Sequence, residues 1–261
     1  MSPSVPVPAW TRRARPLLGT LVEIGVTADC GGADAALAAA FAAIREVQNC
    51  LSRFDAGSDI ARFNALRVGT SLRVRGPTRH VLAAACELQA ASAGLFDISL
   101  DTAPAGWHCD GARLFKLDAA TRLDLGGIGK GHAVDCAVQA LIEHGCAGGW
   151  VNAGGDLRAF GSAEVPVVLR DEKGGGVHAF ATLTEGAFAT SWFDRDSRSS
   201  ASRPADRDAC GAPGIQTPLT AHASVAAPLC LWADALTKIV ALSGDARHPL
   251  LARYDALAWL H

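Results

Sequence analysis

The sequence predicts a fold of the α/β or α+β class, because long helical patterns alternate along the chain with short runs of β-forming residues. The 261 residues are 49% hydrophobic and 19% charged, which is typical of a globular protein with a sizeable core. This length suits one large domain or two interleaved ones. We expect residues 1–14 to form a flexible N-terminal arm and residues 15–261 to form a single domain.

The first half of the chain is predicted to contain one strand and three helices. Residues 17–26 are rich in β-forming side chains and predict the strand. Apolar residues recur at helical spacing over 33–51 and again over 78–91, and both ranges predict long helices. Between them, Ser58 or Asp59 is a candidate cap for a short helix.

The second half alternates strands with helices and closes with a helix. Strands are predicted at 123–131, from 149 to 152, and as a hairpin at 165–170 and 179–184. Helices are predicted at 131–144 and 231–243. The polar residues 194–217 predict a surface loop.

Charge and hydropathy exclude several classes of function. The formal net charge is −2, and the one basic cluster, Arg12, Arg13 and Arg15, is short, so we expect no nucleic-acid partner. We expect no membrane partner either, because no run of about 18 apolar residues occurs. The first ten residues lack the apolar core of a secretory signal, and the eight cysteines form no CxxC pair. We therefore expect a reduced, cytoplasmic protein.

Two glycine-rich segments carry the clearest chemical signal. In LDLGGIGKGHAVD, residues 123–135, glycines precede a predicted helix start, where free N–H groups bind anions, and Lys130 adds a positive charge. The segment lacks the Ser or Thr that follows GK in a P-loop, and it lacks the spacing of a Rossmann GxGxxG fingerprint. WVNAGGDLRAFG, residues 150–161, has the same character. Glycine content alone leaves open a ligand-free tight turn in the first segment and a polar hairpin turn in the second.

Seven motifs in order resemble the FAD:protein FMN transferase (ApbE) family. They are RPLLGTLVEI, LSRFDAGSDIARFN, LFDISL, LDLGGIGKGHAVD, VNAGGDLRAFG, ATSWF and ADALTKIVAL, and they extend over 15–244. The resemblance implies an α+β, T-fold-like arrangement of mixed sheets and helices with a FAD cleft between two lobes. It implies a flavin transferase that binds FAD with Mg²⁺ and transfers FMN to a Thr or Ser of a partner flavoprotein. The alternatives are a non-catalytic FAD-binding paralogue and a FAD pyrophosphatase that releases FMN and AMP.

The resemblance also implies which residues form the site. Asp234 corresponds to the metal carboxylate of the family, and Gly129 would offer a backbone carbonyl to the same Mg²⁺. The pair Ser58 and Asp59 is expected to order a loop. The residues expected to contact FAD are Leu18, Asp97, Ser99, Gly126, Lys130, His132 and Ser191.

The sequence departs from the family pattern at four places, one of which is Gly126, where some members have a hydroxyl side chain. The second metal ligand of the family is a Thr one helical turn after the Asp, and here that residue is Lys238. We expect an i,i+4 ion pair with Asp234, for which an ordinary surface pair is one interpretation. Our hypothesis is instead that the Lys238 ammonium takes the place of Mg²⁺ and faces the pyrophosphate. The HiidP loop of the family is not found, so His222 is the nearest candidate base, with an ordinary strand residue as the alternative. Trp192 replaces a Gly, and its bulk would either crowd a phosphate or a target loop, or stack on an aromatic ring.

Overall fold

The computed structural model describes residues 10–100, 102–170, 175–194 and 220–261. The strands in these ranges are β1 (Trp10–Leu17), β2 (Thr20–Thr27), β3 (Ser71–Arg73), β4 (Trp107–Asp110), β5 (Arg113–Lys116), β6 (Gly148–Ala153), β7 (Asp156–Gly161), β8 (Val165–Arg170), β9 (Val177–Leu183), β10 (Gly186–Asp194), β11 (Thr220–Ala227) and β12 (Leu257–Leu260). The helices are α1 (Ala33–Leu51), α2 (Asp59–Asn64), α3 (Gly76–Ala91), α4 (Gly129–Glu143), α5 (Cys230–Ser243) and α6 (Leu250–Arg253). None of these described helices is long and apolar enough to cross a membrane.

The main sheet is antiparallel throughout its described part and carries a layer of helices on one face. Its strand order is β1-β2-β6-β7-β10-β11-β12. Helices α1, α4 and α5 pack side by side against this sheet. The buried hydrophobic residues of β2 are Val22, Ile24 and Val26, and this period of two places them on the helix-covered face. The predicted α+β class is therefore confirmed.

The other face of the sheet is covered by the β8–β9 hairpin. Val165, Val167 and Leu169 of β8 are buried together with Phe188 of β10. Ala187, the neighbour of Phe188, belongs instead to the core beneath the helices. Adjacent residues of β10 thus face opposite layers. The same alternation places Ser191 and Trp192 on opposite faces of the sheet. A separate small sheet has the order β3-β5-β4.

The predicted flexible arm is wrong for residues 10–14. These residues belong to β1, which pairs with β2 from Trp10 opposite Thr27 to Leu17 opposite Thr20. The Trp10 ring also meets the Trp150 ring edge-on, with centroids 6.3 Å apart. Ladder hydrogen bonds and a partly buried aromatic contact fix this segment, while residues 1–9 lie outside the described part.

The predicted strand at 123–131 is also wrong. No ladder forms there, because the Asn64 side chain accepts from the Leu123 N–H at 2.7 Å and donates to the Leu123 carbonyl at 2.9 Å. A turn follows, and α4 begins at Gly129 rather than at Gly131. The apolar residues Leu123, Leu125 and Ile128 are buried, but a side chain rather than a neighbouring strand pairs with the Leu123 backbone. The predicted loop 194–217 lies outside the described residues from 195 onward.

The expectation that all cysteines are reduced is wrong for one pair. Cys30 and Cys146 form a disulfide, with Cα atoms 5.0 Å apart and a separation of 116 positions in sequence. Cys30 follows β2 and Cys146 precedes β6, so the bond joins two segments that the sheet already brings together. Cys50, Cys86, Cys109, Cys136 and Cys230 are free thiols in the described structure.

Candidate functional site

The start of α5 is held against α4 by a carboxylate. Asp135 of α4 accepts hydrogen bonds from the backbone N–H groups of Cys230 and Leu231, each 2.9 Å long. First-turn N–H groups have no partner within their own helix, so Asp135 caps α5 from another element. Arg158 of β7 binds the same carboxylate at 2.7 Å. Sequence reasoning missed this role, since the residues that Asp135 caps are far away in sequence.

Gly131 allows α4 and α5 to approach closely. A Cβ atom at this position would overlap the Cys230 carbonyl oxygen and would lie 2.8 Å from the Leu231 Cα. The Gly131 N–H donates to Asp234 Oδ2 at 3.1 Å. The glycine motif therefore brings the N-terminus of α4 to Asp234 of α5.

Two lysines and two aspartates meet between α4, α5 and β7, and we name Lys130, Asp156, Asp234 and Lys238 the Lys–Asp cluster. Lys130 forms an ion pair with Asp156, and its Nζ lies 3.8 Å from Asp234 Oδ1. Lys238 forms the expected i,i+4 ion pair with Asp234. Asp156 and Asp234 are buried and Lys238 is only 3% exposed, whereas the Lys130 side chain is 33% exposed. The charges balance within the cluster, and Lys130 is its most exposed member.

The Lys238 ammonium uses all three of its protons inside the protein. It donates to Asp234 Oδ1, to the Asp234 carbonyl at 2.8 Å, and to Ser191 Oγ at 3.1 Å. Thr237 donates its hydroxyl proton to the Asp234 carbonyl at 2.7 Å, so its oxygen accepts from Ser191 Oγ at 2.8 Å. Ser191 and Lys238 therefore lie together as expected, but their donors point at protein groups. The expectation that Lys238 faces a pyrophosphate does not fit this arrangement.

Opposite charges keep Asp234 and Lys130 ionised despite the burial of the cluster. Burial opposes the charge of Asp234, but Lys130 and then Lys238 hold the pKa of its carboxyl below its usual range. Burial also opposes the charge of Lys130, but Asp156 and then Asp234 raise its pKa. Asp234 is therefore an anion and Lys130 a cation at neutral pH.

The Lys–Asp cluster does not fit a Mg²⁺ ion. Mg²⁺ takes oxygen ligands in near-octahedral geometry at about 2.0–2.1 Å. Asp234 Oδ1 instead contacts the Lys238 ammonium, and Oδ2 accepts the Gly131 N–H. The described part of the chain contains no group of three or more His, Cys, Asp or Glu side chains that could hold a metal. The geometry thus gives no support to a metal site built from Gly129 and Asp234.

Three of the expected FAD contacts, Asp97, Ser99 and Gly126, lie in two adjoining turns. Asp97 accepts from the Ser99 backbone N–H at 2.8 Å and from the Ser99 hydroxyl at 2.7 Å. Asp124 donates its N–H to the Ile98 carbonyl at 2.9 Å and accepts the Gly126 N–H at 2.8 Å. The two motifs are distant in sequence but share one hydrogen-bonded network, which reaches the surface at Gly126, whereas Asp97 and Ser99 are buried.

Arg53 and Phe54 border this surface and were missed by sequence reasoning. Arg53 Nε lies 3.2 Å from Asp124 Oδ2, and its guanidinium lies 4.5 Å from the centroid of the Phe54 ring. The Phe54 residue is 84% exposed, and both residues line an open depression of about 460 Å³. A large aromatic residue within the polar turn of the LSRF motif was the available signal.

Leu18 and Gly129 are brought to the same end of α1. The Leu18 N–H donates to Gln48 Oε1 at 2.6 Å, and Leu18 has a left-handed φ of 56° in the turn between β1 and β2. A Cβ atom at Gly129 would lie 3.1 Å from Leu51 Cδ1, in the next turn of α1. The β1–β2 turn and the start of α4 therefore adjoin a common helix end.

His132 is a buried, neutral imidazole. It stacks on His80 of α3 with ring centroids 4.8 Å apart, and Cys136 Sγ lies 3.5 Å from its Nε2. Burial and then the neighbouring His80 lower the pKa of His132 from 6.5 to about 4. At neutral pH this side chain carries no positive charge for a phosphate.

His222 and Trp192 lie on the face of the sheet that is opposite to the Lys–Asp cluster. Ser191 is paired with Ala223, and Ser191 points toward α5, where it contacts Lys238. The neighbouring pair, Trp192 and His222, therefore points away from α5, and their rings meet edge-on at 5.6 Å. The structure does not bring His222 to the cluster as a base, and the bulk of Trp192 does not crowd it.

Ser58 and Asp59, the SD pair that was expected to order a loop, bind the starts of two helices. Ser58 caps α2 by accepting the Ala61 N–H at 2.9 Å. Asp59 accepts from the Arg75 N–H at 2.8 Å and from the Thr78 hydroxyl at 2.6 Å, at the start of α3. The pair thus fixes the entries of two helices and does not contact the cluster.

Comparisons with known proteins agree with this architecture. The model of the ApbE family matches residues 18–116 and 107–260. The ApbE protein of Thermotoga maritima is 22% identical over 94% of this chain and 91% of that chain, with a TM-score of 0.75. The apo form of the flavinyl transferase ApbE of Pseudomonas stutzeri is 20% identical over 97% of this chain and 91% of that chain, with a TM-score of 0.76. The flavin transferase ApbE of Vibrio cholerae is 19% identical over 97% of this chain and 94% of that chain, also with a TM-score of 0.76.

No curated protein matches the chain. At these identities the solved structures establish a shared fold, and the family model establishes the kinship. Because that model covers nearly the whole chain, this protein belongs to the ApbE family.

Proposed function

We propose that this protein binds FAD and transfers its FMN moiety to a Thr or Ser hydroxyl of a partner flavoprotein. One observation carries the proposal: in a member of the ApbE family, a buried charge cluster lies at the N-terminus of α4, directly after the turn that contains Gly126. This is where an anionic ligand would meet both a cation and the positive end of a helix dipole.

Lys130 is the residue that we assign to the pyrophosphate. Its ammonium is partly exposed, and the ion pair with Asp156 uses only one of its three protons. The helix that follows has no side-chain acceptor at its N-cap residue, Ile128. A phosphate at this helix end would therefore meet the positive charge of Lys130 together with the positive end of the helix dipole.

Phe54 is the residue that we assign to an aromatic ring of FAD. Its exposed ring offers one free face for stacking, and Arg53 covers the other side. Arg53 is in turn tied to Asp124, next to Gly126. A ligand that stacks on Phe54 would thus lie beside Arg53, which is paired with the Asp124 carboxylate that accepts the Gly126 N–H.

In the proposed reaction the acceptor hydroxyl oxygen attacks the phosphorus of the FMN half of FAD. The bond from this phosphorus to the bridging oxygen breaks, AMP departs with that oxygen, and the hydroxyl proton is released to solvent. Lys130 would stabilise the negative charge that grows on the departing phosphate. No step is assigned to His222 or to a metal ion.

A non-catalytic FAD-binding paralogue is the second candidate. It is favoured by the internal hydrogen bonds of the cluster, in which Lys238, Ser191 and Thr237 donate to one another or to the Asp234 backbone. Because these donors already bond to protein groups, they stabilise the fold and leave fewer polar groups to act on a substrate.

The test combines a calorimetric FAD titration with product analysis. FAD is incubated with the protein and with extract from the native cells, AMP is quantified by chromatography, and denatured proteins are examined for covalent flavin by fluorescence and mass spectrometry. AMP together with a flavin-modified acceptor supports transfer. AMP and FMN without acceptor would indicate a pyrophosphatase, and bound FAD without products would indicate the second candidate.

A charge variant and a matched control locate the site. Lys130→Gln is expected to weaken FAD binding at least tenfold, because it removes the cation assigned to the pyrophosphate. Arg113→Gln removes an exposed cation from β5 of the small sheet and is expected to leave FAD binding unchanged. Equal affinities for both variants would contradict the assignment of Lys130.

A further inference from the structure

The Lys238 ammonium is built into the protein at the carboxylate where the family resemblance implies Mg²⁺. Its Nζ contacts Asp234 Oδ1 and also donates to the carbonyl of the same residue at 2.8 Å. A cation that binds both a side-chain oxygen and a main-chain oxygen of one aspartate occupies the space of a chelated metal ion. We infer that Lys238 is a covalently attached replacement for the divalent cation, and that this site binds its anionic ligand without a metal.

The remaining oxygen of Asp234 is also occupied. Oδ2 accepts the Gly131 N–H at 3.1 Å, and Lys130 Nζ lies 3.8 Å from Oδ1. A divalent cation would have to displace one ammonium group and coexist with a second one nearby. Electrostatic repulsion between the buried metal ion and the neighbouring ammonium group opposes this displacement.

Charge balance leads to the same conclusion. The cluster contains two carboxylates and two ammonium groups, which sum to zero. Adding Mg²⁺ without expelling a lysine would leave two uncompensated positive charges in a buried site, and burial of unpaired charge is strongly unfavourable. Metal binding is therefore opposed even before coordination geometry is considered.

Lys238 cannot readily swing aside to admit a metal. Its side chain is 4% exposed, and Ser191 of β10 accepts its third proton at 3.1 Å. Ser191 is itself held by Thr237 at 2.8 Å. Displacing the ammonium would break three hydrogen bonds in a closed network and leave the lysine without a solvated position.

The first experiment measures metal binding alone and does not depend on FAD. Wild-type protein is titrated with Mn²⁺, as a spectroscopic substitute for Mg²⁺, and free Mn²⁺ is followed by electron paramagnetic resonance. Wild type is expected to leave the signal of free Mn²⁺ undiminished. Lys238→Thr removes the ammonium and places a hydroxyl one turn after Asp234, so it is expected to bind one Mn²⁺ per chain at least tenfold more tightly than wild type.

Two control variants separate charge from shape. Lys238→Arg keeps a cation beside Asp234 and is expected to exclude Mn²⁺ as wild type does. Asp234→Asn combined with Lys238→Thr removes the carboxylate and is expected to abolish the gained binding. Stoichiometric binding of Mn²⁺ by wild type would overturn the inference even if a variant fails to fold.

The second experiment rests on the proposed function, because it uses FAD. The FAD dissociation constant of wild type is expected to agree within twofold in Mg²⁺ and in EDTA, whereas FAD binding by Lys238→Thr is expected to weaken at least tenfold in EDTA. Wild-type binding that requires Mg²⁺ would overturn the inference. Absence of FAD binding in both buffers would instead contradict the proposed function, and the Mn²⁺ titration would still decide the inference.

Discussion

Replacing Lys238 by Met should destabilise the folded protein strongly, because it leaves Asp234 charged and buried. The variant keeps the length of the side chain but removes the ammonium from Asp234 Oδ1. Removing one partner of a buried ion pair costs about 3–5 kcal/mol. Lys130 remains 3.8 Å from Oδ1 and the Gly131 N–H still reaches Oδ2, so we expect the lower end, about 3 kcal/mol.

The double variant Asp234→Asn with Lys238→Met removes both charges and isolates the electrostatic cause. Replacing a buried ion pair by neutral groups of similar size is often nearly neutral, so the double variant should lie within about 1 kcal/mol of wild type. The difference in free energy of unfolding between the double variant and Lys238→Met contributes to the coupling energy between Asp234 and Lys238, as in a double-mutant cycle. The Lys130–Asp156 pair remains balanced in this variant.

Urea unfolding followed by circular dichroism in EDTA measures these free energies without interference from metals. A loss of about 3 kcal/mol also predicts a fall in Tm of roughly 6–12 °C for a chain of this size. Lys116→Met is the matched control, since that equally buried ammonium donates to the Asn64 carbonyl at 3.0 Å rather than to a carboxylate. A Lys238→Met variant no less stable than Lys116→Met, or a double variant no more stable than the single one, would refute the reasoning.

Three further predictions concern histidine, cysteine and glycine. The pKa of His132 is lowered to about 4, so its contribution to stability is complete above its unfolded pKa near 6.5 and is lost as pH falls toward about 4. Between about pH 7 and pH 5 wild type should lose about 2 kcal/mol more than His132→Phe in urea titrations, and equal losses would contradict this assignment. Alkylation under denaturing conditions should modify two more thiols with reductant than without it, whereas equal alkylation would exclude the disulfide. Replacing both Cys30 and Cys146 by Ser should lower the free energy of unfolding by roughly 4 kcal/mol. Gly131→Ala should lower the free energy of unfolding by about 3 kcal/mol in thermal unfolding, because its Cβ would overlap the Cys230 carbonyl. Gly76→Ala is the control and should leave stability unchanged, because its Cβ would meet open space. Similar values for both variants would contradict the close approach of α4 and α5.

The helices were predictable because their signal is local. The apolar period of 33–51 gave α1 with its observed bounds, and 231–243 differs from α5 by one residue. The segment 123–131 was predicted as a strand for an equally local reason, since the apolar residues Leu123, Leu125 and Ile128 recur along it before the glycines end it. Its backbone partner is the Asn64 side chain, 59 positions away in sequence, and no periodicity within the segment reports that.

The candidate site was predictable as a set of residues but not as an arrangement. Ordered motifs identified Lys130, Asp234 and Lys238, and the i,i+4 spacing gave one ion pair. Strand alternation alone required that Ser191 and Trp192 face opposite sides of the sheet, but it could not tell which side carries α5. That choice depends on packing between distant elements, and it separates Ser191, which joins the cluster, from Trp192 and His222, which do not.

A lysine in the place of a metal ion changes which residue must meet the substrate. A bound metal can neutralise a carboxylate and still coordinate phosphate through its open positions, whereas an ammonium has three protons and Lys238 directs all of them to protein oxygens. Lys238 therefore supplies charge balance to Asp234 but no bond to a ligand. By elimination within the Lys–Asp cluster, direct contact with a pyrophosphate falls to Lys130, whose side chain is one-third exposed and whose ion pair with Asp156 holds it at the start of α4. Affinity for FAD should consequently depend on Lys130, while Lys238 should determine whether that affinity depends on a metal.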